Sequence, residues 1–268
     1  MWRGFIWGLM FMVLFTANLF AAHPLITDDS GTQGKGKFQL EITSEFTYDK
    51  EKVYSDEKES KVIIKEHGKE IATVLTYGVT EYVDVILNMP YQWKKVKEEG
   101  KVVSDVRGIS DISLELKWRV FDWKGWNFAI KPGLLFPTGN EKKGLGNGRV
   151  SYSSIFIVTK EINPWAFHFN LGYTHNNYKL KQDREEKRKG IWHISAAGEV
   201  EVIKNLKLVG DIGVERNPEK KSKTHPAYIL GGLIYSISEN LDLDLGIKGG
   251  LNKPEVDFSF LAGLTWRF

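Results

Sequence analysis

The segment Phe258–Phe268 reads Phe-Ser-Phe-Leu-Ala-Gly-Leu-Thr-Trp-Arg-Phe, and its alternation decides the fold. Successive side chains of a β-strand point to opposite faces. One face would therefore carry Phe258, Phe260, Ala262, Leu264, Trp266 and Phe268, and the other Asp257, Ser259, Thr265 and Arg267. A soluble domain that ended on such a strand would expose an edge that promotes aggregation. A closed barrel in a membrane gives the apolar face lipid as its partner, and the segment favours that class.

The other end of the chain predicts export. Arg3 precedes an apolar run over residues 4–15, and small residues follow at Ala21 and Ala22. This pattern is typical of a secretory signal. We expect residues 1–22 to be a signal peptide that is cleaved after Ala21 or Ala22. A retained membrane anchor is the alternative, because the apolar run approaches the length of a spanning helix.

Composition excludes several classes of protein. The 268 residues carry 37 basic and 34 acidic side chains and a net charge of +3, so we expect no nucleic-acid partner. The absence of cysteine excludes disulfides and thiolate metal sites. His23, Asp28 and Asp29 could gather a metal ion, but solvation or turn capping is the simpler reading. We expect no metal and no cofactor.

Period-two alternation predicts about twelve strands after the signal. Short connections alternate with long polar ones, as in outer-membrane barrels, which have short periplasmic turns and longer external loops. The sequence therefore predicts an all-β fold: a closed antiparallel transmembrane up-and-down β-barrel over residues 38–268, of the outer-membrane type, with both termini periplasmic. A soluble β-sandwich is the alternative. The long connections are expected at residues 49–69, 96–110, 137–148, 179–190, 216–226 and 249–255.

The polar faces of these strands are the candidate site. If the apolar faces meet lipid, the charged side chains must face water or pair with one another. They could stiffen the barrel as a mixed-charge network, or they could line a narrow hydrated passage, because twelve strands lie between a filled and an open barrel. The residues expected to face the lumen are Glu41, Glu45, Asp84, Lys94, Glu115, Lys117, Arg119, Lys131, His168, His193, Glu199, Lys207, Asp211, Glu215, Asp242, Asp244, Lys248 and Arg267.

Enzymatic chemistry is not predicted. His193 and Ser195 share a predicted face, but two residues of strand separate them by about 7 Å, which is too far for direct contact. We expect no catalytic residue, with an outer-membrane hydrolase as the remote alternative. His168 and His193 lie on neighbouring predicted strands and could form a pH-sensitive pair. The basic run in residues 179–189 could contact lipopolysaccharide phosphates.

Two segments resemble a known family. Residues 23–41 read HPLITDDSGTQGKGKFQLE, and residues 131–148 read KPGLLFPTGNEKKGLGNG. The first resembles the mature amino terminus, and the second the central strand and loop, of the outer-membrane transporters described as "Putative MetA-pathway of phenol degradation". The resemblance implies a barrel and the uptake of small, aromatic compounds. It carries over no binding motif.

We therefore expect a barrel in the outer membrane of a Gram-negative-type bacterium that passes or binds a small solute. Its other partners would be the lipid bilayer, lipopolysaccharide, and the barrel-assembly machinery acting on the C-terminal strand. The rival is a non-conducting structural or adhesion barrel with a plugged lumen. Residues 23–37 form a periplasmic leader, and Gly31, Gly34 and Gly36 make it flexible enough to fold into the lumen.

Overall fold

The computed structural model of the chain describes residues 23–55 and 60–268. The expected signal peptide, residues 1–22, lies outside the described residues. One short α-helix, α1, covers Lys181–Glu186, and a 3₁₀ turn covers Glu141–Lys143. No helix in the described ranges is both long and apolar enough to cross a bilayer.

β-Strands make up nearly all of the remaining regular structure. Every pairing between them is antiparallel, and successive strands pair with each other except β4 and β5, which both pair with β3. The strands are β1 Phe38–Ser55, β2 Ser60–Thr80, β3 Val83–Glu98, β4 Lys101–Ile109, β5 Ile112–Trp123, β6 Trp126–Phe136, β7 Ser151–Ile162, β8 Trp165–His175, β9 Gly190–Ile203, β10 Leu206–Glu215, β11 Ala227–Ser238, β12 Leu241–Gly250 and β13 Phe258–Arg267.

The sheet closes because the first and last strands pair along their length. Gln39 lies opposite Arg267, and Phe46 lies opposite Phe260. The backbone of Phe38 exchanges two hydrogen bonds with that of Phe268, at 2.8 and 2.9 Å. Closure removes the free edge that the apolar last strand would otherwise expose.

Thirteen strands fill twelve positions around the barrel. The first half of β3, Val83–Asn88, pairs with β5, whereas its second half, Tyr91–Glu98, pairs with β4. β4 and β5 are therefore successive pieces of one barrel position. The fold is the closed twelve-position antiparallel barrel that the alternation predicted.

Burial along the strands is the reverse of that in a soluble protein. In β8 the apolar side chains at alternate positions, such as Phe167 and Leu171, are exposed, whereas His168 and Asn170 between them are buried. The same alternation follows β5, β10 and β12. An exposed apolar wall around a polar interior is the arrangement that a bilayer stabilises.

Large aromatic side chains collect at the edge of the barrel where the strands are joined by short turns. Their rings are amphipathic or large enough to lie at the level of the lipid headgroups, which is where membrane barrels place an aromatic girdle. The exposed members of this group include Tyr82, Trp123, Trp126, Trp165, Tyr235, Trp266 and Phe268.

Two expected loops are mostly β-structure. β1 and β2 continue through residues 49–55 and 60–69, and β3 and β4 form a hairpin across residues 96–109 with a turn at Glu99 and Gly100. Both segments are rich in Lys and Glu, which is why their sequence reads as loop. Ladder hydrogen bonds join backbone groups and need no apolar side chains, so the pairing continues beyond the apolar band.

Candidate functional site

The leader, residues 23–37, contacts strands on opposite sides of the barrel interior. Its polar partners lie on β12, β10, β8, β7 and β3 in that order along the chain. Pro24, Thr27, Asp29 and Ser30 are among the most completely buried residues of the protein. The leader therefore crosses the interior of the barrel and narrows it.

The start of the leader sits on a part of the wall that lacks side chains. A Cβ added to Gly232 or Gly246 would lie 2.7 Å from the ring of Pro24. The Nδ1 atom of His23 lies 2.5 Å from Oδ1 of Asp244. Leu25 packs against two small apolar clusters on the inner face, which consist of Val209 and Ile234, and of Tyr228, Leu230 and Leu261.

Thr27 is held by a hydrogen-bonded cluster on β9, β10 and β11. The backbone N–H groups of Ile26 and Thr27 both donate to Oδ2 of Asp211, at 2.8 Å. The Thr27 hydroxyl donates to Oδ1 of Asp211 at 2.8 Å and lies 2.7 Å from Oγ of Ser195. Tyr228 donates to the same carboxylate at 3.1 Å. Because this buried carboxylate accepts from two backbone N–H groups and two hydroxyl groups, Asp211 is a polar anchor for the leader.

Asp28 lies at the centre of a buried ion-pair cluster. Its Oδ1 lies 2.7 Å from Nζ of Lys117, its Oδ2 lies 2.5 Å from Nζ of Lys131, and Lys131 lies 3.3 Å from Glu115. The Asn170 amide closes the site by accepting from the Asp28 N–H at 2.7 Å and donating to its carbonyl at 2.8 Å. Burial alone would raise the pKa of Asp28, but the two lysines outweigh it and hold the pKa below its ordinary value.

The rest of the leader is bound mainly through its backbone. The Ser30 N–H donates to Oγ1 of Thr159 at 3.0 Å, and the Gln33 N–H donates to Oδ2 of Asp84 at 3.0 Å. Side chains of the barrel thus satisfy backbone donors of an irregular segment that has no ladder of its own.

The leader leaves the interior past Gly78 of β2. A Cβ at this position would lie 1.9 Å from the carbonyl oxygen of Gly34, so only glycine admits the crossing. Gly34 and Gly36 have φ values of +85° and +79°, a region that side chains disfavour. The glycines that made the leader look flexible therefore fix its path at the barrel mouth.

A cavity of about 290 Å³ remains beside the leader. Its wall combines apolar side chains from the barrel, such as Val74, Ile86 and Ile155, with charged and amide groups. The Oδ1 atom of Asn88, which is buried, has no hydrogen-bond partner within the described part of the chain. The remaining polar lining includes Asp28, Asp29, Glu41, Thr43, Asp84, Glu115, Lys117 and Lys131.

None of the eighteen residues expected at the lumen is exposed. Seven are buried: Asp84, Lys117, His168, Glu199, Asp211, Asp242 and Asp244. Eleven are half-buried: Glu41, Glu45, Lys94, Glu115, Arg119, Lys131, His193, Lys207, Glu215, Lys248 and Arg267. That they border a path for solute remains a prediction.

Several of these residues pair with each other instead of contacting the leader. Lys207 lies 3.3 Å from Glu199, Lys248 lies 3.0 Å from Glu45, and Arg267 lies 2.8 Å from Asp242. Such pairs neutralise charge in a barrel interior. The inner face is thus divided between a part that binds the leader and a part that is internally neutralised.

The two histidines are not brought together. His168 lies opposite Ala197, and His193 lies opposite Gly172 four residues further along β8, so about 13 Å of strand separates them. Contact between their ring nitrogens is therefore excluded, and the pH-sensitive pair is not formed. Ser195 contacts the Thr27 hydroxyl, which places it among the residues that hold the leader.

Sequence reasoning placed Asp84, Lys117, Lys131, Asp211 and Asp244 at the lumen, but it did not identify them or their uncharged neighbours as the residues that hold the leader. Asn170, Ser195 and Thr159 are ordinary polar positions on inward faces, and nothing in their spacing marks them. One signal was present. Val209, Leu230 and Leu261 are apolar residues at inward positions, where a water-filled barrel would instead carry polar residues. They mark the place where Leu25 packs.

The family model described as "Putative MetA-pathway of phenol degradation" matches residues 24–268. The chain belongs to this family. None of the curated proteins matches it. The match begins inside the leader, so the leader as well as the barrel is part of what defines the family.

Solved structures agree on the architecture. An outer membrane channel from Pseudomonas putida F1 superposes with a TM-score of 0.68 at 13% identity, over 90% of this chain and 98% of that one. The KdgM porin superposes with a TM-score of 0.55 at 7% identity, over 86% of this chain and 99% of that one. At such identities the likeness shows the fold, which is an outer-membrane type barrel.

Proposed function

We propose that this protein is a narrow channel of the outer membrane that passes a small solute through the barrel interior, alongside the leader. The observation that carries the proposal is the cavity of about 290 Å³ between the leader and the wall formed by β1–β3 and β5–β7. In this proposal both termini lie in the periplasm, and the leader is the constriction of the channel.

The size of the cavity limits the solute. Sites for small ligands usually enclose about 300–1,000 Å³, so this one suits a compound of about one ring. Its apolar residues would contact such a ring, and its amide and charged groups would bond to a hydroxyl or a similar polar substituent. The family description concerns the degradation of phenol, which supports a small aromatic solute.

The interior charges favour water over a dry core. The eighteen residues expected at the lumen include nine carboxylates and seven basic groups, and Asp28 and Asp29 of the leader add two more carboxylates. Charged groups at this density are stable only when they are paired or hydrated. We therefore expect a hydrated path with a weak preference for cations over anions.

Conductance in planar bilayers tests the proposal. The full mature protein should give small single-channel currents, and deletion of residues 24–35 should give larger ones because the constriction is gone. A matched variant that replaces residues 24–35 by a Gly-Ser segment of equal length keeps the tether and removes every side-chain contact, and it should behave like the deletion. Unchanged currents in both variants would contradict the role of the leader.

The rival function is a non-conducting structural barrel whose interior the leader plugs. The dense polar contacts of Thr27 and Asp28 favour this reading. It requires that neither the full protein nor liposomes that contain it show ion current or flux of a small aromatic compound. Reproducible currents from the full protein would exclude it.

We expect no hydrolase activity. The hydroxyl of Ser195 is hydrogen-bonded to Thr27, and Asn170 lies opposite Ser195 in the neighbouring strand. A serine nucleophile needs a base within hydrogen-bond reach, and neither of these residues is a base. Turnover of an ester substrate that is lost in Ser195→Ala would contradict this expectation.

A further inference from the structure

We propose that the mature chain begins at His23 and that its α-ammonium group forms an ion pair with Asp244 inside the barrel. Cleavage of the Ala22–His23 bond would then create the charge that completes the anchor of the leader. The inference goes beyond the channel function and does not depend on it.

Asp244 has a free acceptor at the right place. Its side chain is 1% exposed, and its Oδ1 is bonded to Nδ1 of His23 at 2.5 Å. Within residues 23–55 and 60–268 its Oδ2 is buried and has no hydrogen-bond partner. A buried carboxylate oxygen without a hydrogen-bond donor raises the free energy of the folded state, so we expect a donor to contact this atom. The neighbouring carboxylate, Asp242, is already paired with Arg267 at 2.8 Å.

The α-nitrogen of His23 is the donor that covalent geometry brings closest. Four bonds join it to Nδ1 of the same residue, so the two nitrogens lie within about 5 Å of each other. Because Nδ1 is hydrogen-bonded to Asp244, the short His23 side chain holds the α-nitrogen in the neighbourhood of the same carboxylate. A peptide nitrogen offers one N–H and no charge, whereas an α-ammonium offers three N–H groups and a positive charge.

The wall around His23 is shaped to hold it in place. Gly232, Gly246 and Gly263 lie on the three neighbouring strands β11, β12 and β13. A Cβ at Gly263 would lie 2.6 Å from Nδ1 of His23 and 2.4 Å from Oδ2 of Asp244. Three missing side chains thus leave a recess that fits the first two residues of the leader closely. Close packing of the first two residues in this recess restricts the position of the α-nitrogen.

The chemistry of processing supplies the group. Hydrolysis of the Ala22–His23 bond by a signal peptidase consumes one water and breaks the C–N bond. It leaves a carboxylate on Ala22 and an amine on His23, and this amine takes up a proton at neutral pH. The small side chain of Ala22 suits the position before the cut.

The first test is the amino-terminal sequence of the protein isolated from outer membranes, read by mass spectrometry. The expected first residue is His23. A chain that begins at Ala22, or one that retains residues 1–22, would overturn the proposal.

The second test is the rate at which the α-amine is acylated near neutral pH. Only the neutral amine reacts, and the ion pair with Asp244 favours the ammonium form. The folded protein should therefore react at least about tenfold more slowly than the urea-unfolded protein, which corresponds to an α-amine pKa raised by one unit. Asp244→Asn should restore most of the rate, whereas Asp105→Asn, which removes an exposed carboxylate, should not.

If Asp244→Asn does not fold, a refolded chain with Gly-Ser added before His23 serves instead. Its α-amine is displaced from the recess and should react as fast as in the unfolded chain. Equal rates for the folded wild type, the unfolded wild type and this extended chain would overturn the proposal.

Discussion

Replacement of Asp28 by Asn should release the middle of the leader while the barrel stays folded. Asp28 bridges two lysine ammonium groups at 2.7 and 2.5 Å, and its side chain is 19% exposed. Removing one partner of a fully buried pair costs about 3–5 kcal/mol. Because Asp28 is partly hydrated and Lys131 retains Glu115, we expect about 2 kcal/mol here, which is roughly a 30-fold increase in the released state.

Hydrogen exchange followed by mass spectrometry measures this release directly. The backbone N–H groups of Thr27, Asp28, Ser30 and Gln33 are donors to the barrel and should exchange about 30-fold faster in Asp28→Asn. Peptides from the barrel strands should exchange as in the wild type. Asp49→Asn is the matched control, because its ion pair with Lys253 lies in exposed structure and should not affect the leader. Unchanged exchange of the leader in Asp28→Asn would refute the reasoning.

Two further predictions concern the leader, and a third concerns the outer wall of the barrel. Gly246→Ala places a methyl group against Pro24 and should speed exchange of the leader without affecting barrel assembly, whereas Gly231→Ala, which meets no atom within 4 Å, should change neither. Because the pKa of Asp28 is lowered in the folded protein, its ion pairs stabilise the bound leader fully above the pKa of the unfolded chain, about 3.9, and are lost as the pH falls through the lower pKa of the folded state. Hydrogen exchange of the leader, corrected for the intrinsic exchange rate, should be constant from pH 8 to about 5 and rise only below about pH 4. Leu245→Lys puts a charge on the exposed apolar face and should lower the unfolding free energy, measured by urea titration in phospholipid vesicles, by about 2–4 kcal/mol if that position lies near the bilayer midplane; a change below about 0.5 kcal/mol would argue against lipid contact there.

The barrel wall was predictable because its signal is local. In the last strand Phe258, Phe260 and Trp266 are exposed and Ser259 and Thr265 are fully buried, as the alternation indicates. The two-residue periodicity of apolar residues indicates which face of the strand each side chain occupies. The regular alternation of short and long connections indicates how the strands are joined. Neither signal reports how far a strand continues into water, so the sequence predicts loops where the structure has strands over residues 49–55 and 60–69 and a hairpin over residues 96–109.

The contacts of the leader were not predictable in the same way. Asp28 meets a lysine 89 positions later in the chain, and Thr27 meets a carboxylate 184 positions later. Such pairs depend on closure of the whole barrel, which local pattern does not encode. Apolar residues on the inward face, Val209, Leu230 and Leu261, were the local departures from alternation that pointed to a segment inside the barrel.

Accessibility of a single introduced cysteine tests the central claim, which is that water and solute pass along the inner face while the outer face contacts lipid. The chain has no cysteine, so each variant carries one thiol. Thr43 borders the cavity, and its neighbour Ile42 is 45% exposed on the outer face. In a planar bilayer a charged, membrane-impermeant thiol reagent should react with Thr43→Cys and reduce the single-channel current, and it should leave Ile42→Cys unmodified. Modification of Ile42→Cys at the same rate, or an unchanged current after modification of Thr43→Cys, would contradict the account.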